Sequence, residues 1–190
     1  MRKLATLSII MVICTMIVFA FAQEAKKTDA SKFKYVGASK CKICHKGEKK
    51  GNIFEKWEES KHSKAYATLA SDQAKELAVK AGVKGDPQQA AECLTCHVTA
   101  YKAAADQKEA TYSLEEGVTC EACHGPGSAY KSLKVMKDIT AGTVKGAEFG
   151  LVMPTNEVCV ACHNAKSPTY KEFKFAEAVK LIAHPLPKSE

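Results

Sequence analysis

Histidine is scarce in this sequence, with six in 190 residues. Methionine is scarcer once the N-terminus is set aside: Met1, Met11 and Met16 fall in the first 22 residues and leave Met136 and Met153. The net charge of +7 comes with no nucleic-acid-binding motif. The lysines therefore read as a solvated surface, or as a field that steers an acidic partner. The long apolar run lies at Leu4 to Ala22, behind basic Arg2 and Lys3, and ends on the small residues Ala20 and Ala22. It reads as an export signal cut after Ala22. An uncleaved anchor is the alternative, because the run is long enough to cross a bilayer. A lipoprotein reading through Cys14 fails, since bulky Ile13 precedes it and the apolar run continues past it.

Cysteine is plentiful. Nine are present, and eight remain after the signal in a mature chain of about 168 residues. Loss of Arg2 and Lys3, with no acid before Glu24, takes the formal charge from +7 to +5. Eight cysteines in an exported chain would ordinarily be four disulfides. Their spacing says otherwise. They fall in four frames: Cys41, Cys44 and His45; Cys93, Cys96 and His97; Cys120, Cys123 and His124; Cys159, Cys162 and His163.

C-x-x-C-H is the attachment signature of c-type haem. Two intervening residues put both thiols on one side of a tight turn, where each can add to a porphyrin vinyl group. The adjacent histidine then gives the iron its proximal nitrogen. Zinc sites also use C-x-x-C pairs, but zinc would leave four equally placed histidines unexplained. A thioredoxin-like pair would occur once. Disulfides need no histidine after every second cysteine. The expectation is four covalent haems.

Four haems in a mature chain of this size leave roughly 42 residues for each, too few to bury a conventional core as well. The expected fold is mainly α, with short helices and long loops wrapped round four porphyrins that form the core. Intervals of 52, 27 and 39 residues between the first cysteines are irregular. The chain therefore repeats a ligand motif and is no solenoid. The organisation is a signal at 1–22, a Lys-rich leader at 23–34 and one domain at 35–190.

Between the motifs, "NIFEKWEESKHSKAYATLA" reads as a helix capped by Asn52, with Phe54, Trp57, His62, Ala65 and Leu69 on one face. A lone histidine on such a stripe is ordinarily a core or surface residue; beside a haem it becomes a candidate axial ligand. "QAKELAVKA" reads as a helix ending at Gly82, and "GVKGDPQQA" as a loop. "ATYSLEEGV" reads as a short strand or extended approach, "SAYKSLKVMKD" as helix and "DITAGTVKGAEFGLVMP" as loop. A last helix starts at Ser167-Pro168, carries Phe173, Ala176, Val179, Lys180 and Ala183 on one side, and ends at His184 before Pro185. His184 reads as a second ligand candidate, or as a charge at a helix C-terminus.

Four haems offer eight axial positions. The motif histidines take four, and His62 and His184 leave two still to fill. Met136, on a helical run, is the methionine placed to ligate, and a thioether raises the potential of a haem. Met153, beside Pro154, reads as packing. Tyr130 is an oxygen donor but reads better as a packed or hydrogen-bonded tyrosine. One iron is left with an open or weakly held face.

The order of elements resembles the tetrahaem cytochrome c-554 family. The stretches that carry the likeness are "CKICHK", "WEESKHSKA", "CLTCHV", "GVTCEACHGPG", "CVACHN" and "FKFAEAVKLIAH". The resemblance implies His62 opposite His163, His184 opposite His124, and an open face at the haem held by His97. It also implies a histidine for the haem on His45 from the stretch after Gly-Pro-Gly. No histidine occurs between Gly127 and Asn156. Met136 is the best replacement there, ahead of vacancy, a lysine or a ligand from another chain.

The implied function is periplasmic electron transfer between redox proteins, a donor and an acceptor, with no nucleic acid and no membrane span once the signal is cut. An uncleaved signal would leave the protein membrane-anchored, and an extracellular location is the other alternative. In the resembling family the donor oxidises hydroxylamine; the changed ligand argues against carrying that donor over. Two alternatives stand beside the carrier. One is a reductase of small nitrogen oxides or hydroxylamine at the open iron near His97. The other is a subunit of an extracellular cytochrome filament.

Overall fold

A computed structural model describes residues 32–184. The signal, most of the leader and the last six residues lie outside the described residues. Nine short helices are found among the described residues: α1 (Ala38–His45), α2 (Ile53–Glu58), α3 (Ala65–Thr68), α4 (Asp72–Lys80), α5 (Ala91–His97), α6 (Cys120–His124), α7 (Leu133–Thr140), α8 (Asn156–Val160) and α9 (Phe175–Ile182). Four 3-10 turns lie between them, at Glu48–Lys50, Ala105–Gln107, Leu114–Glu116 and Gly146–Phe149. There is no named strand among these residues; Tyr35 and Lys108 form an isolated parallel bridge. Nor is any helix among them long and apolar enough to cross a membrane.

The apolar core is sparse. Leu69, Leu94 and Val98 form its one buried cluster among the described residues, lined by Tyr66, Cys93, Tyr101 and Tyr112. Other buried apolar side chains, such as Phe33, Val36 and Phe54, lie outside this cluster. So thin an interior offsets little of the ordering entropy of the chain. This is what the expectation of porphyrins as the core requires.

Polar clasps join the pieces instead. Glu121, 2% exposed, accepts the backbone N–H groups of Val36 (2.9 Å), Gly37 (2.9 Å) and Gly127 (2.7 Å). Glu116 accepts those of Ala38 (2.8 Å) and Ser39 (3.2 Å), the free donors at the start of α1. Both carboxylates tie the first motif to the third. Thr99, just past the second motif, accepts the Thr119 N–H at 2.7 Å, just before the third. Serine caps work locally: Ser71 accepts from Ala74 N–H on α4 and Ser132 from Val135 N–H on α7.

Four expected elements differ. The long helix from Asn52 is two helices, α2 and α3, with His62 in the turn between them. Ser63 Oγ bonds the carbonyls of Glu58 (2.8 Å) and Ser60 (2.9 Å), so side-chain bonds compete with the helical ladder there. The His62 carbonyl, freed from that ladder, accepts the distant Val118 N–H at 3.0 Å. Asn52 stands before α2 in a left-handed conformation (φ 51°) without a side-chain cap bond. "ATYSLEEGV" folds as a turn and a 3-10 helix, not a strand. The last helix starts at Phe175, and the chain becomes extended at Ala183, so His184 lies beyond its end. The run "SAYKSLKVMKD" becomes helical only from Leu133, and α7 extends to Thr140, into the stretch read as loop.

Candidate haem-binding sites

Each C-x-x-C-H motif sits on a short helix or its last turn. Helical spacing brings residues three apart to one face, so each cysteine pair shares a side. The histidine ends α1, α5 and α6, and His163 follows α8 by one turn, its N–H bonded to the Cys159 carbonyl at 2.9 Å. None of the eight cysteines among the described residues is paired in a disulfide. No three His, Cys, Asp or Glu side chains converge as a chelating cluster among the described residues, which is not the donor set of a structural zinc site.

The thiols meet across motifs. Cys41 lies beside Cys120, and the neighbouring thiol pushes Cys41 up and holds Cys120 below its ordinary value. Burial, then neighbouring Cys96, pushes Cys162 up to about 12. Burial and then Cys159 raise Cys123. The first motif thus lies against the third, the third against the fourth, and the fourth against the second. Helices α1 and α6 pack together, as do α6 and α8.

Backbone carbonyls orient two of the motif imidazoles. His97 Nδ1 lies 2.8 Å from the Ala65 carbonyl oxygen, and His124 Nδ1 lies 3.2 Å from that of Val152. A ring nitrogen held this way leaves Nε2 for a metal and fixes the ring plane. His163 stacks on Phe173, with ring centroids 4.8 Å apart at 22°. His45 differs: its Nδ1 is buried without a hydrogen-bond partner. A buried polar atom left unpaired is costly. Burial first, then His184, His124 and Lys50, depress the basicity of His45.

The two histidines outside the motifs each come to face one within them. The rings of His62 and His163 lie 6.0 Å apart at 74°, and those of His124 and His184 lie 5.9 Å apart at 49°. Two imidazoles bound to one metal, each nitrogen roughly 2 Å from it, have centroids about 6 Å apart. Both pairs therefore fit an iron between them. Burial, then the facing histidine, holds His62 below its ordinary value. Burial also lowers His124, against the upward pull of the Val152 carbonyl. Both shifts favour the neutral, ligating imidazole.

The other candidates divide. Met136 is half-buried on α7, its carbonyl accepting from Thr140 Oγ1 at 2.8 Å. Met153 does not pack as expected. It is 70% exposed at an apolar pocket of about 500 Å³ lined also by Ile139, Leu151 and Val152. Tyr130 is buried, and its hydroxyl donates to the Gly125 carbonyl at 2.7 Å, as a hydrogen-bonded tyrosine does. Burial raises its pKa, with Glu121 adding to the effect. Gly125 itself has φ +75°, and a Cβ there would collide with the Gly150 carbonyl oxygen. This is why glycine follows the third motif.

Sequence reasoning missed the roles of Glu121, Glu116 and Phe173 and the two carbonyl acceptors of the orienting contacts. Only Glu121 left a signal, as an acid enclosed between two haem-attaching cysteines. The backbone partners leave none.

A family profile described as "Cytochrome c554 and c-prime" matches residues 40–125. Cytochrome c-554 of Nitrosomonas europaea is 30% identical over 209 residues, which cover 91% of this chain and 84% of that one. The reduced-state structure of cytochrome c554 from Nitrosomonas europaea superposes with a TM-score of 0.54 at 28% identity, over 78% of this chain and 82% of the other. With paired thiols, imidazoles spaced for an iron and this shared sequence and fold, the chain belongs to the cytochrome c-554 family of covalent haem c electron-transfer proteins.

Proposed function

We propose that the chain carries four haems c and relays electrons between two redox proteins in the periplasm. Bound haem supplies the one-electron iron couple, while the protein supplies attachment, ligation and spacing. Cys41 and Cys44, Cys93 and Cys96, Cys120 and Cys123, and Cys159 and Cys162 attach the four groups. His45, His97, His124 and His163 are the proximal ligands. His62 closes the site on His163 and His184 closes the site on His124. The observation that carries this assignment is the pair of imidazole separations, 6.0 and 5.9 Å. The thiol contacts favour a relay ordered first, third, fourth and second along the motifs.

Two sites have no second histidine. Met136 is the residue we assign to the site on His45, and the site on His97 keeps an open face. EPR of the oxidised protein and CO binding to the reduced protein test this directly. The expected result is a high-spin signal and CO uptake by about one haem in four. Entirely low-spin iron without CO uptake would overturn the open site. Met136→Ala should lower the potential of one haem and raise CO uptake to about two per chain. Spectroelectrochemical titration beside the parent protein checks it, and an unchanged set of potentials would remove Met136 from the ligand set.

A second reading is a small-molecule reductase at the site on His97. It is favoured by the apolar cluster of Leu69, Leu94 and Val98 beside that motif, which would exclude water. Turnover of hydroxylamine or nitric oxide by the reduced protein would distinguish it from a carrier.

A further inference from the structure

The four attachment turns differ in how far the protein encloses them. In the second and third, the residue after the first cysteine is buried: Leu94 is 5% exposed and Glu121 2%. In the first, the residue at that position, Lys42, is only half-buried, and the next two, Ile43 (75% exposed) and Cys44, are exposed. The charge differs in the same sense. Residues 40–50 hold Lys40, Lys42, Lys46, Lys49 and Lys50 against Glu48, a net +4. The equivalent eleven residues at the second, third and fourth motifs carry 0, −1 and +1. Most of the formal excess of the mature chain is therefore gathered at one attachment turn.

This surface is ordered. The loop after α1 is closed by the N–H groups of Lys50 (3.0 Å) and Asn52 (3.1 Å) on the Gly47 carbonyl. Glu55 accepts the Gly47 N–H at 2.9 Å and anchors the loop to α2. Lys42 Nζ lies over the Phe54 ring, 5.2 Å from its centroid. The ion pairs found among the described residues use Lys75, Lys131 and Lys134, and none of these five lysines. An exposed apolar residue on a turn flanked by five lysines, none of them in an ion pair, has the layout of a docking surface: an apolar centre and a rim that steers.

We propose that the outer face of α1 and the Lys46–Lys50 loop dock an acidic redox protein, with Ile43 at the centre of the contact. The proposal rests on the electron-carrier reading and adds to it the place and charge of the partner. A lysine cluster of this kind sets the rate of encounter and the register of docking, and its effect weakens as salt rises.

Reduced flavodoxin, an acidic flavoprotein, serves as the probe on the haem-loaded protein. Binding is followed by isothermal titration at low salt, and electron transfer by stopped-flow absorption. The triple variant Lys46→Glu, Lys49→Glu, Lys50→Glu is compared with Lys75→Glu, Lys80→Glu, Lys84→Glu, which changes net charge equally on α4 and the loop after it. The first should weaken binding by about tenfold or more and flatten its salt dependence, while the second changes it less than about twofold. Ile43→Ser should weaken binding with its salt slope retained. Equal weakening by both triple variants, or no binding by the parent protein, overturns the proposal. Dithionite reduction to the same absorbance checks that each variant keeps its haems. Charge-dependent binding without electron transfer would support the docking surface and overturn the carrier reading instead.

Discussion

His62→Gly opens the iron site on His163: in the oxidised protein one low-spin EPR signal gives way to a high-spin one, and the reduced protein binds about one further CO per chain. The expectation rests on the 6.0 Å separation of the two rings, the spacing a shared metal demands. The loss should stay local, because the backbone at this turn is held independently of the imidazole. The His62 carbonyl accepts from Val118 N–H at 3.0 Å and Ala65 N–H at 3.1 Å, and Gly117 packs on it so closely that a Cβ there would lie 2.9 Å away. The haem stays attached through Cys159 and Cys162, so absorption at full reduction should not fall. His184→Gly is the companion measurement at the site on His124. If His62→Gly leaves both spectra unchanged, the sixth ligand of that site is another group.

Glu121→Ala should destabilise the haem-loaded protein by about 3–9 kcal/mol, since each of three buried N–H donors left unpaired costs about 1–3 kcal/mol. Those donors belong to Val36, Gly37 and Gly127, so the loss releases the segment before α1 and the Gly-Pro-Gly turn together. Guanidinium unfolding followed by far-UV circular dichroism measures it; a change below about 1 kcal/mol would show that other bonds hold the first and third motifs together. The pH dependence carries a definite sign. Burial holds the Glu121 carboxyl above the ordinary carboxylate range, against the downward pull of the three N–H groups. A carboxyl with its folded pKa raised binds its proton more tightly in the folded chain. Its linked stability is greatest below the ordinary range, about 4, and declines as pH rises through the folded value. Glu121→Gln, which does not titrate, should remove that slope while keeping an acceptor oxygen for part of the clasp.

The attachment chemistry was legible in the order of residues because it is local. Two thiols and an imidazole within five residues are brought together by any single helical turn, whatever the remainder of the chain does. The small helical fold followed from arithmetic on chain length and haem number. His62 and His184 were legible as candidates because histidine is scarce. Their partners were implied by family resemblance, and the facing rings come from segments about 100 and 60 residues apart in sequence. Helix bounds were less legible. The face shared by Phe54, His62 and Leu69 suggested one helix, whereas Ser63 and the distant Val118 divert its backbone bonds and place His62 in a turn.

By itself, then, the sequence set out the haem-attachment motifs, the histidines proposed as proximal ligands and the shortage of histidine for the remaining positions, all properties of composition and near-neighbour spacing. Only the tertiary structure decided which motifs lie against one another, which carbonyls aim His97 and His124, and that Glu121 is a buried clasp rather than a surface acid. Those depend on contacts between residues far apart in the chain, whose free energy comes from desolvation and paired backbone groups that no local pattern encodes.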